Sequence, residues 1–302
     1  MSEPLAALRA ALGTRVRVNE PLAPRTTFRV GGCADLLIEA RRVQDLIEYA
    51  RLARAHGVPV FILGNGSNIL VRARGVRGLV IENRCDQFSL EDADSAQAIV
   101  RAETGAPLPG MANRLARQGW AGLEWAIGVP GTLGGAIVGN AGAHGGCIAD
   151  SLIRVTILDP SGAVRELPKT DLGLAYRTSR FKHAHDAIIL RADFTMRRDD
   201  PTACVARMNQ YIEQRRRTQP TEPSVGSMFK NPPGDAAGRL IEQAGLKGKR
   251  VGGVEVSPVH ANFFVNRGDA TADDVLQLID LVRARVYEHL GVELELEIEI
   301  VG

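Results

Sequence analysis

Long apolar runs, paired cysteines and charge of one sign are all scarce in this chain. No stretch of its 302 residues approaches the ~18 apolar residues of a membrane-spanning helix. The first residues have neither the charged nor the apolar region of a signal peptide. The four cysteines are widely scattered and form no CxxC pair and no disulfide framework. We therefore expect a cytoplasmic protein that has no membrane partner.

The charge pattern and the histidines exclude two further classes of function. The formal net charge is only +2, and 215–217 is the one dense basic run, so a nucleic-acid partner is not expected. His144 and Cys147 form one His-x-x-Cys, and His183 and His185 form one His-x-His. Neither pattern has a second half, so no metal site is expected.

The composition is that of a globular protein of mixed α and β structure. Hydrophobic residues make up 45% and charged residues 24% of the chain, whose length suits two or three domains. The charged break at 197–201 is the best candidate for a domain boundary. The periodicities predict helices over 5–12, 43–56, 107–118, 202–217, 237–244 and 272–290, and strands over 58–63, 78–82, 98–102, 187–190, 261–265 and 292–301.

Two patterns in the last third are more specific. Thr271 and Asp274 form a capping pair in front of helix 272–290, and Gly291 ends that helix. In 292–301, leucine and isoleucine alternate with four glutamates, which predicts a half-exposed strand with one acidic face. For most of these glutamates a solvated face is the expected role, although one of them could lie at a ligand site.

The densest group of reactive side chains lies in 223–232. It combines the hydroxyl of Ser227, the ammonium group of Lys230 and the amide of Asn231 just after Gly226. Glycine lets backbone approach a ligand closely, so these side chains could converge on one polar, anionic ligand. An ordinary turn with solvated polar residues is the alternative.

A second segment, 176–182, is built in the same way. Ser179, Phe181 and Lys182 repeat the Ser-x-Phe-Lys order found at 227–230. The chain has only five lysines against 32 arginines, and two of the five occupy this setting. The repetition favours a ligand site over an ordinary turn.

Two glycine-rich segments are candidate cofactor cradles. The first, 64–68, follows a predicted strand and offers backbone N–H groups to phosphate oxygens. The second, 128–146, has eight glycines in 19 residues but is too apolar for a flexible linker. The 64–68 segment fits neither the Rossmann nor the P-loop pattern. Backbone packed against a large flat or phosphorylated ligand would explain the second segment, and close packing of a helix on a sheet is the alternative.

Short motifs in a fixed order carry a resemblance to a known family. They are Thr-Phe-Arg-Val-Gly-Gly at 27–32, Leu-Gly-Asn-Gly-Ser-Asn at 63–68, Gly-Leu-Glu at 122–124, Ile-Gly-Val-Pro-Gly at 127–131, Gly-Asn-Ala-Gly-Ala at 139–143, Tyr-Arg at 176–177 with Ser179 and Phe-Lys at 181–182, Gln-Pro at 219–220, Gly-Ser-Met-Phe-Lys-Asn-Pro at 226–232, Gly-Arg-Leu-Ile-Glu at 238–242 and His-Ala-Asn-Phe at 260–263. Nearly end to end, the chain resembles the UDP-N-acetylenolpyruvoylglucosamine reductases (MurB), flavoenzymes of bacterial cell-wall precursor synthesis.

The resemblance implies an α+β fold of three parts. An FAD-binding unit of the vanillyl-alcohol-oxidase (PCMH) type would comprise subdomains 1–88 and 89–198, with the C-terminal strand 292–302 joined to the first. A third α+β domain, 199–291, would bind the substrate. Because no long insertion follows residue 232, the chain resembles the shorter subclass, which lacks an extra loop with a substrate-binding tyrosine. A monomer is the default expectation.

The resemblance also implies a set of ligand-binding residues. Those for FAD are Gly64, Asn65, Gly66, Ser67, Asn68, Gly128, Pro130, Gly131, Gly134, Gly135, Ala136, Asn140, Ala141, Gly142 and Arg215. Those for the substrate are Tyr176, Lys230, Asn231, His260 and Asn262. For Arg215, a solvated helix end is the alternative. One position departs from the family: Thr218 stands where relatives often have a basic residue, which puts that substrate contact in doubt.

The implied reaction uses three side chains. NADPH would reduce FAD, and UDP-N-acetylglucosamine enolpyruvate would then accept hydride at its C3. Arg177 and Glu297 would stabilise the enolate-like intermediate, and Ser227 would protonate C2. Two alternatives stay open: a related FAD-dependent oxidase that passes electrons to oxygen, and a non-catalytic flavin or nucleotide-sugar binding protein.

Overall fold

The structure is a computed structural model that describes residues 2–91, 96–184 and 186–302. His185, half of the His-x-His pattern, lies outside the described residues. The chain forms two compact units. The first contains Met1–Val16, Ile38–Gly64 and Ile81–Arg215, and the second contains Arg17–Leu37, Asn65–Val80 and Arg216–Gly302. Within the described ranges, no helix combines the length and the apolar character needed to cross a membrane. The division into three domains stays a prediction.

The first unit is built on an antiparallel sheet. Its strands follow the order Val164–Pro168, Leu152–Leu158, Ile188–Arg198, Gln97–Glu103 and Phe88–Glu91, and Trp120–Ala121 also pairs with Ile188–Arg198. The other strands of this unit are Val60–Leu63 and the hairpin Gly142–Ala143 with Gly146–Cys147. Its helices are Glu3–Leu12, Val43–Ala55, Leu108–Arg117, Leu133–Val138, Ile148–Ser151, Arg180–His183 and Pro201–Thr218, whose last turn belongs to the second unit.

Periodic apolar residues explain the core of this unit. Alternate residues of Gln97–Glu103 (Ala98, Val100 and Ala102) are buried on one sheet face, as period-2 patterning requires. Helix Leu108–Arg117 buries its apolar residues at helical spacing in the same core.

The second unit contains smaller sheets and two helices. The helices are Ala237–Gln243 and Ala272–Leu290, and the strands are Arg17–Pro21, Ile69–Val71, Arg250–Val251, Val254–Val256, Phe264–Asn266 and Glu299–Val301. The chain passes between the units within two strands, Cys33–Ala40 and Val76–Asn83. Arg17–Pro21, Cys33–Ala40, Val76–Asn83 and Val60–Leu63 form one four-stranded sheet in that order. Arg250–Val251, Val254–Val256 and Phe264–Asn266 form an antiparallel sheet.

The predicted start and end of the long C-terminal helix are confirmed. The backbone N–H of Asp274 donates to Thr271 Oγ1 (3.1 Å), and the N–H of Thr271 donates to Asp274 Oδ2 (2.9 Å). Gly291 ends the helix in the left-handed conformation, with φ +67°. All six predicted helices are present, with ends within two residues of those expected.

Two strand predictions need correction. Only Glu299–Val301 of 292–301 is a regular strand, and it pairs in parallel with Ile69–Val71. The preceding residues bend, because their main chain bonds first to the 228–230 segment and then to Asn68. The strand expected at 261–265 is instead Phe264–Asn266, since the N–H of Phe263 closes a turn onto the carbonyl oxygen of His260 (2.9 Å).

Candidate active site

The segment 227–231 of the second unit, called the Ser227 segment, is held mainly by its backbone. Ser227 forms an isolated β-bridge with Phe263, and Phe229 forms one with Leu296. The N–H of Met228 donates to the carbonyl oxygen of Asn262 (2.7 Å). Gly226 enters the segment with φ +78°, a conformation that disfavours side chains. The main chain of the Ser227 segment is therefore paired with another part of the chain on each side.

Asn262 completes this backbone scaffold with its side chain. Its Oδ1 accepts from the N–H of Phe229 (2.9 Å), and its Nδ2 donates to the carbonyl oxygen of Phe229 (2.7 Å). Asn262 is only 2% exposed. The amide therefore supports the Ser227 segment, and its role as a substrate contact stays a prediction.

The main chain of Glu297 is joined to both the Ser227 segment and the 64–68 loop. Its N–H donates to the carbonyl oxygen of Met228 (2.9 Å), and its carbonyl oxygen accepts from Asn68 Nδ2 (3.3 Å). The N–H of Glu299 donates to the carbonyl oxygen of Asn68 (3.0 Å). Predicted residues from three distant parts of the sequence thus meet within the second unit.

Other predicted substrate residues flank the Ser227 segment. Lys230 forms an ion pair with the exposed Glu295. Asn231 Oδ1 accepts from the N–H of Ala237 (3.0 Å) at the start of a helix, which is a capping contact. His260 Nδ1 accepts from the N–H of Asn262 (3.2 Å), so the neutral ring carries its proton on Nε2. Burial lowers the pKa of His260, which favours that neutral form.

The 64–68 loop is divided between the units after Gly64. A Cβ on Gly64 would lie 2.3 Å from Thr132 Oγ1, which no side chain could accommodate. Gly66 has φ +58°, and its carbonyl oxygen accepts from the N–H of Thr27 (3.2 Å). Close packing and backbone conformation both explain the glycines here.

The glycines of the glycine segment 128–146, in the first unit, differ in what surrounds them. Gly134 packs on Thr104, where a Cβ would be 3.1 Å from side-chain and backbone atoms, so packing explains it. Gly135 is different, because it is exposed in helix Leu133–Val138 and a Cβ there would meet nothing closer than 3.8 Å. Glycine costs a helix about 1 kcal/mol relative to alanine. An open glycine backbone there fits the close approach of a ligand.

Arg215 lies directly against this segment. A Cβ on Gly128 would be 2.1 Å from Arg215 Cδ, so the side chain crosses the glycine backbone. Burial lowers the pKa of Arg215. Its guanidinium has no hydrogen bond and no ion pair with any residue that the structure describes. A half-buried cation in this position suits an anionic or electron-rich ligand.

Arg177 is displayed on a tight turn, residues 175–178, which we call the Arg177 turn. The N–H of Ala175 donates to the carbonyl oxygen of Thr178 and the reverse bond is also present, both at 3.2 Å. Arg177 has φ +55°, a costly conformation for a side-chain-bearing residue. Its guanidinium carbon lies 5.4 Å from the ring centroid of the exposed Tyr176. Lys182 Nζ donates to the carbonyl oxygen of Arg177 (3.3 Å).

The Arg177 turn is tied to the glycine segment by two buried side chains. Asn140 Nδ2 donates to the carbonyl oxygen of Ala175 (2.9 Å), and Asn140 Oδ1 accepts from the N–H of Ala149 (3.1 Å). Ser179 Oγ donates to the carbonyl oxygen of Val138 (2.7 Å). Ser179 also caps the short helix that follows. The glycine context of Asn140 predicted a cofactor contact, whereas its side chain reaches the turn.

The first unit also contains an ion-pair network that the sequence patterns did not predict. Arg207 donates from Nε (3.0 Å) and Nη2 (2.6 Å) to Glu124 Oε1, and from Nη2 to Asp199 Oδ2 (2.6 Å). Burial raises the pKa of Glu124, but hydrogen bonds from Gly122 and Arg207 outweigh it, so the pKa is lowered overall. Glu124, Asp199 and Cys204 have metal-like spacing, but the guanidinium of Arg207 already bonds to all three.

Helix Pro201–Thr218, which carries Arg207, also makes an aromatic contact through Tyr211. His144 stacks on Tyr211 with ring centroids 4.2 Å apart, and His144 Nδ1 lies 3.2 Å from Gln214 Oε1. His144 and Gly145 form the two-residue hairpin turn with φ +52° and +82°. The sequence signal that could have revealed these contacts is the helical spacing of Arg207, Tyr211 and Arg215, which places the three side chains along one side of the helix.

Comparison with known proteins identifies one family along the chain. Residues 34–168 match the family described as FAD binding domain, and residues 219–301 match the UDP-N-acetylenolpyruvoylglucosamine reductase C-terminal domain. The UDP-N-acetylenolpyruvoylglucosamine reductase of Chloroflexus aggregans is 44% identical, covering 97% of this chain and 100% of its own. That of Rubrobacter xylanophilus is 47% identical, covering 95% of each. The crystal structure of the MurB enzyme from Thermus caldophilus is similar with a TM-score of 0.79 and 36% identity, covering 95% of this chain and 98% of its own.

These matches settle the fold. The predicted α+β architecture with an FAD-binding unit of the vanillyl-alcohol-oxidase type is confirmed.

Proposed function

The chain belongs to the UDP-N-acetylenolpyruvoylglucosamine reductase family, whose members are flavin oxidoreductases, and we propose that it reduces UDP-N-acetylglucosamine enolpyruvate to UDP-N-acetylmuramate with NADPH. The observation that carries the proposal is 44% identity to such a reductase over nearly the full length of both chains. Within the second unit, the joining of Ser227, Glu297 and Asn68 through neighbouring main chain supports it. The role belongs to peptidoglycan precursor synthesis, and we expect it in the cytoplasm.

The residues of the glycine segment fit FAD. The open backbone at Gly135 allows close approach of a large ligand, and the guanidinium of Arg215 supplies positive charge beside Gly128. Backbone N–H groups of the 64–68 loop would hold phosphate oxygens. When bound, FAD would supply the hydride chemistry that connects NADPH to the enolpyruvyl C3. The other predicted contacts of this segment would complete the cradle, apart from the side chain of Asn140, which bonds the carbonyl oxygen of Ala175.

Arg177 and Glu297 would act on the charge that develops in the substrate. Hydride addition at C3 moves negative charge onto C2 and the adjoining carboxylate. The planar guanidinium of Arg177 can bond both carboxylate oxygens, and this stabilisation grows as the charge develops. Glu297 would orient or polarise the same group from its position beside Met228.

Ser227 would hold the proton that C2 receives. A serine hydroxyl is a poor acid in isolation, so its position must do most of the work. The backbone pairing of the Ser227 segment fixes that position. Lys230 beside it is a cation that can favour the alkoxide form left behind and can also bind the nucleotide or carboxylate groups of the substrate. Tyr176, Asn231, His260 and Asn262 are the further proposed substrate contacts.

An anaerobic stopped-flow experiment at about 450 nm tests the proposal. The FAD-loaded protein is mixed first with NADPH and then with UDP-N-acetylglucosamine enolpyruvate. We expect bleaching by NADPH and rapid recovery with the enolpyruvate sugar, with formation of UDP-N-acetylmuramate. Recovery that needs oxygen would instead identify an oxidase. Failure to acquire flavin absorbance when FAD is supplied would reject the cofactor as well.

A further inference from the structure

We infer that Asn140 and Ser179 are positioning residues that hold Arg177 in its working conformation, and that through them the glycine segment sets the geometry of the Arg177 turn. The inference rests on the proposed function, in which Arg177 stabilises the reduced substrate. It assigns Asn140 a task other than contact with FAD. It also explains why a serine occupies the first position of the Ser-x-Phe-Lys pattern at 179–182.

The two hydrogen bonds lie on either side of the Arg177 turn. Asn140 Nδ2 bonds the carbonyl oxygen of Ala175, the first residue of the turn. Ser179, the residue directly after the turn, donates from Oγ to the carbonyl oxygen of Val138. Both contacts run to the three-residue stretch 138–140, where helix Leu133–Val138 ends. The entry and the exit of the turn are therefore fixed to one short piece of the glycine segment.

Strain explains why such anchors are needed. Arg177 has φ +55° and Asn140 has φ +40°, and neither is glycine. A residue held in this region persists only where surrounding contacts determine it. The turn itself contributes the two cross-turn bonds between Ala175 and Thr178. Without the anchors, the backbone of Arg177 can relax and move the guanidinium away from the substrate carboxylate.

Both anchoring side chains are buried, which makes the loss of either hydrogen bond costly. Asn140 is 7% exposed and Ser179 is 1% exposed, so water cannot replace the lost partner when either side chain is shortened. Both polar atoms of the Asn140 amide are engaged within the protein. The side chain of Asn140 thus connects residue 140 to the turn.

Two pairs of variants test the inference. Ser179→Ala removes the bond to Val138, and its control is Ser151→Ala, because the buried Oγ of Ser151 has no hydrogen-bond partner among the described residues. Asn140→Leu is compared with Asn266→Leu. Asn266 is also 7% exposed, and it donates to the carbonyl oxygen of Phe28 (3.0 Å).

The first readout separates the two half-reactions of the FAD-loaded enzyme. We expect Ser179→Ala and Asn140→Leu to slow flavin reoxidation by the enolpyruvate sugar at least ~10-fold. The rate of flavin reduction by NADPH and the Kd for FAD should change less than about 2-fold, since Arg177 acts on the substrate. The Asn266 and Ser151 controls should keep the reoxidation rate. A large rise in the Kd for FAD with Asn140→Leu, or equal slowing with Asn266→Leu, would overturn the inference.

The second readout needs neither FAD nor substrate. Amide hydrogen exchange at Ala175 and Thr178 reports the cross-turn bonds directly. Both test variants should raise exchange there at least ~10-fold over the parent and the controls, and unchanged exchange would refute the positioning role. If the parent enzyme cannot reduce the enolpyruvate sugar but exchange rises as expected, the proposed function fails while the anchoring of the turn stands.

Discussion

The Arg177 turn and the Ser227 segment carry the two proposed reacting side chains on different kinds of support. The Ser227 segment is paired through its main chain to residues 262–263 on one side and 295–297 on the other. The Arg177 turn has two cross-turn bonds and is also held by side chains from outside it, such as those of Asn140 and Lys182. Main-chain pairing survives most substitutions, whereas support by side chains can be removed one residue at a time.

The two supports suit the tasks proposed for them. A proton donor that is intrinsically weak needs a fixed location, which paired backbone provides. An arginine in a strained backbone conformation stays aimed at the carboxylate of the substrate only while the contacts of Asn140 and Ser179 hold it there. We therefore expect removal of an anchoring side chain to impair the chemistry that depends on the Arg177 turn, whereas the Ser227 segment should keep its geometry when its reacting side chain is removed.

The largest expected effect comes from Ser227→Ala. Removing the proton donor should lower product formation by roughly 10²- to 10⁴-fold, the usual contribution of general acid catalysis. Flavin reduction by NADPH and the thermal midpoint should stay unchanged, because the backbone holds the segment. Stopped-flow absorbance and product analysis measure both half-reactions. Ser224→Ala is the matched control, since Ser224 contributes a carbonyl oxygen to Thr27. Undiminished product formation would remove Ser227 from its role.

Arg177→Lys should have the second largest effect. Lysine keeps the charge but loses the planar fork, so we expect flavin reoxidation by the enolpyruvate sugar to slow roughly 10²-fold. The strained φ is the same for both residues, so stability should change little. Arg180→Lys, three residues further along, is the control, because Arg180 bonds the carbonyl oxygen of Asp171 at the surface. Equal rates for parent and variant would show that the fork is not used.

Breaking the backbone support of the Ser227 segment requires a residue of the scaffold. Asn262→Ala leaves the N–H and the carbonyl oxygen of Phe229 without their amide partner, which should cost about 2–4 kcal/mol in the free energy of unfolding. Equilibrium denaturation with urea measures it. Asn113→Ala, which removes a contact with the side chain of Arg117, should cost less than about 0.5 kcal/mol. Similar costs for both variants would mean that the amide of Asn262 is dispensable.

The sequence predicts this molecule best where the determinants are local. The capping pair Thr271–Asp274 and the stop at Gly291 are encoded within one turn of the helix ends, and both were found as expected. The 292–301 strand was wrong because alternation records which side chains are buried, not which chain the backbone bonds. Leu294 and Ile298 are indeed buried, although the main chain between them bends.

The site shows the same limit at longer range. The Ser-x-Phe-Lys pattern marked the chain around Arg177, but nothing in it reveals that Ser179 bonds a residue 41 positions earlier. The resemblance assigned Asn140 to FAD, and it does not reveal that the partner of this side chain, Ala175, lies 35 positions away. Arg207 and Glu124 are 83 positions apart and carry no motif that links them. Such pairs depend on the fold and not on local pattern.

The smallest effect concerns the ion pair that supports the helix of Arg215. Glu124→Gln should lower the free energy of unfolding by about 1–2 kcal/mol at pH 7, because Arg207 loses one of two carboxylate partners. The folded pKa of Glu124 is lowered from 4.5, so its stabilisation is complete above about pH 4.5 and is lost as the pH falls through the folded value.

The difference in stability between Glu124→Gln and the parent should therefore shrink in acid, since glutamine cannot titrate. Denaturation at pH 7 and at about pH 3 measures this, with Glu91→Gln, from an exposed pair with Arg101, as the control. The comparison between the two regions predicts where the acid sensitivity falls. The Glu124 carboxylate loses its charge in acid, whereas the backbone hydrogen bonds of the Ser227 segment do not titrate. Acid should therefore loosen the helix of Arg215, in the first unit, before it loosens the Ser227 segment. A difference that stays constant with pH would show that the charge of Glu124 does not stabilise the helix.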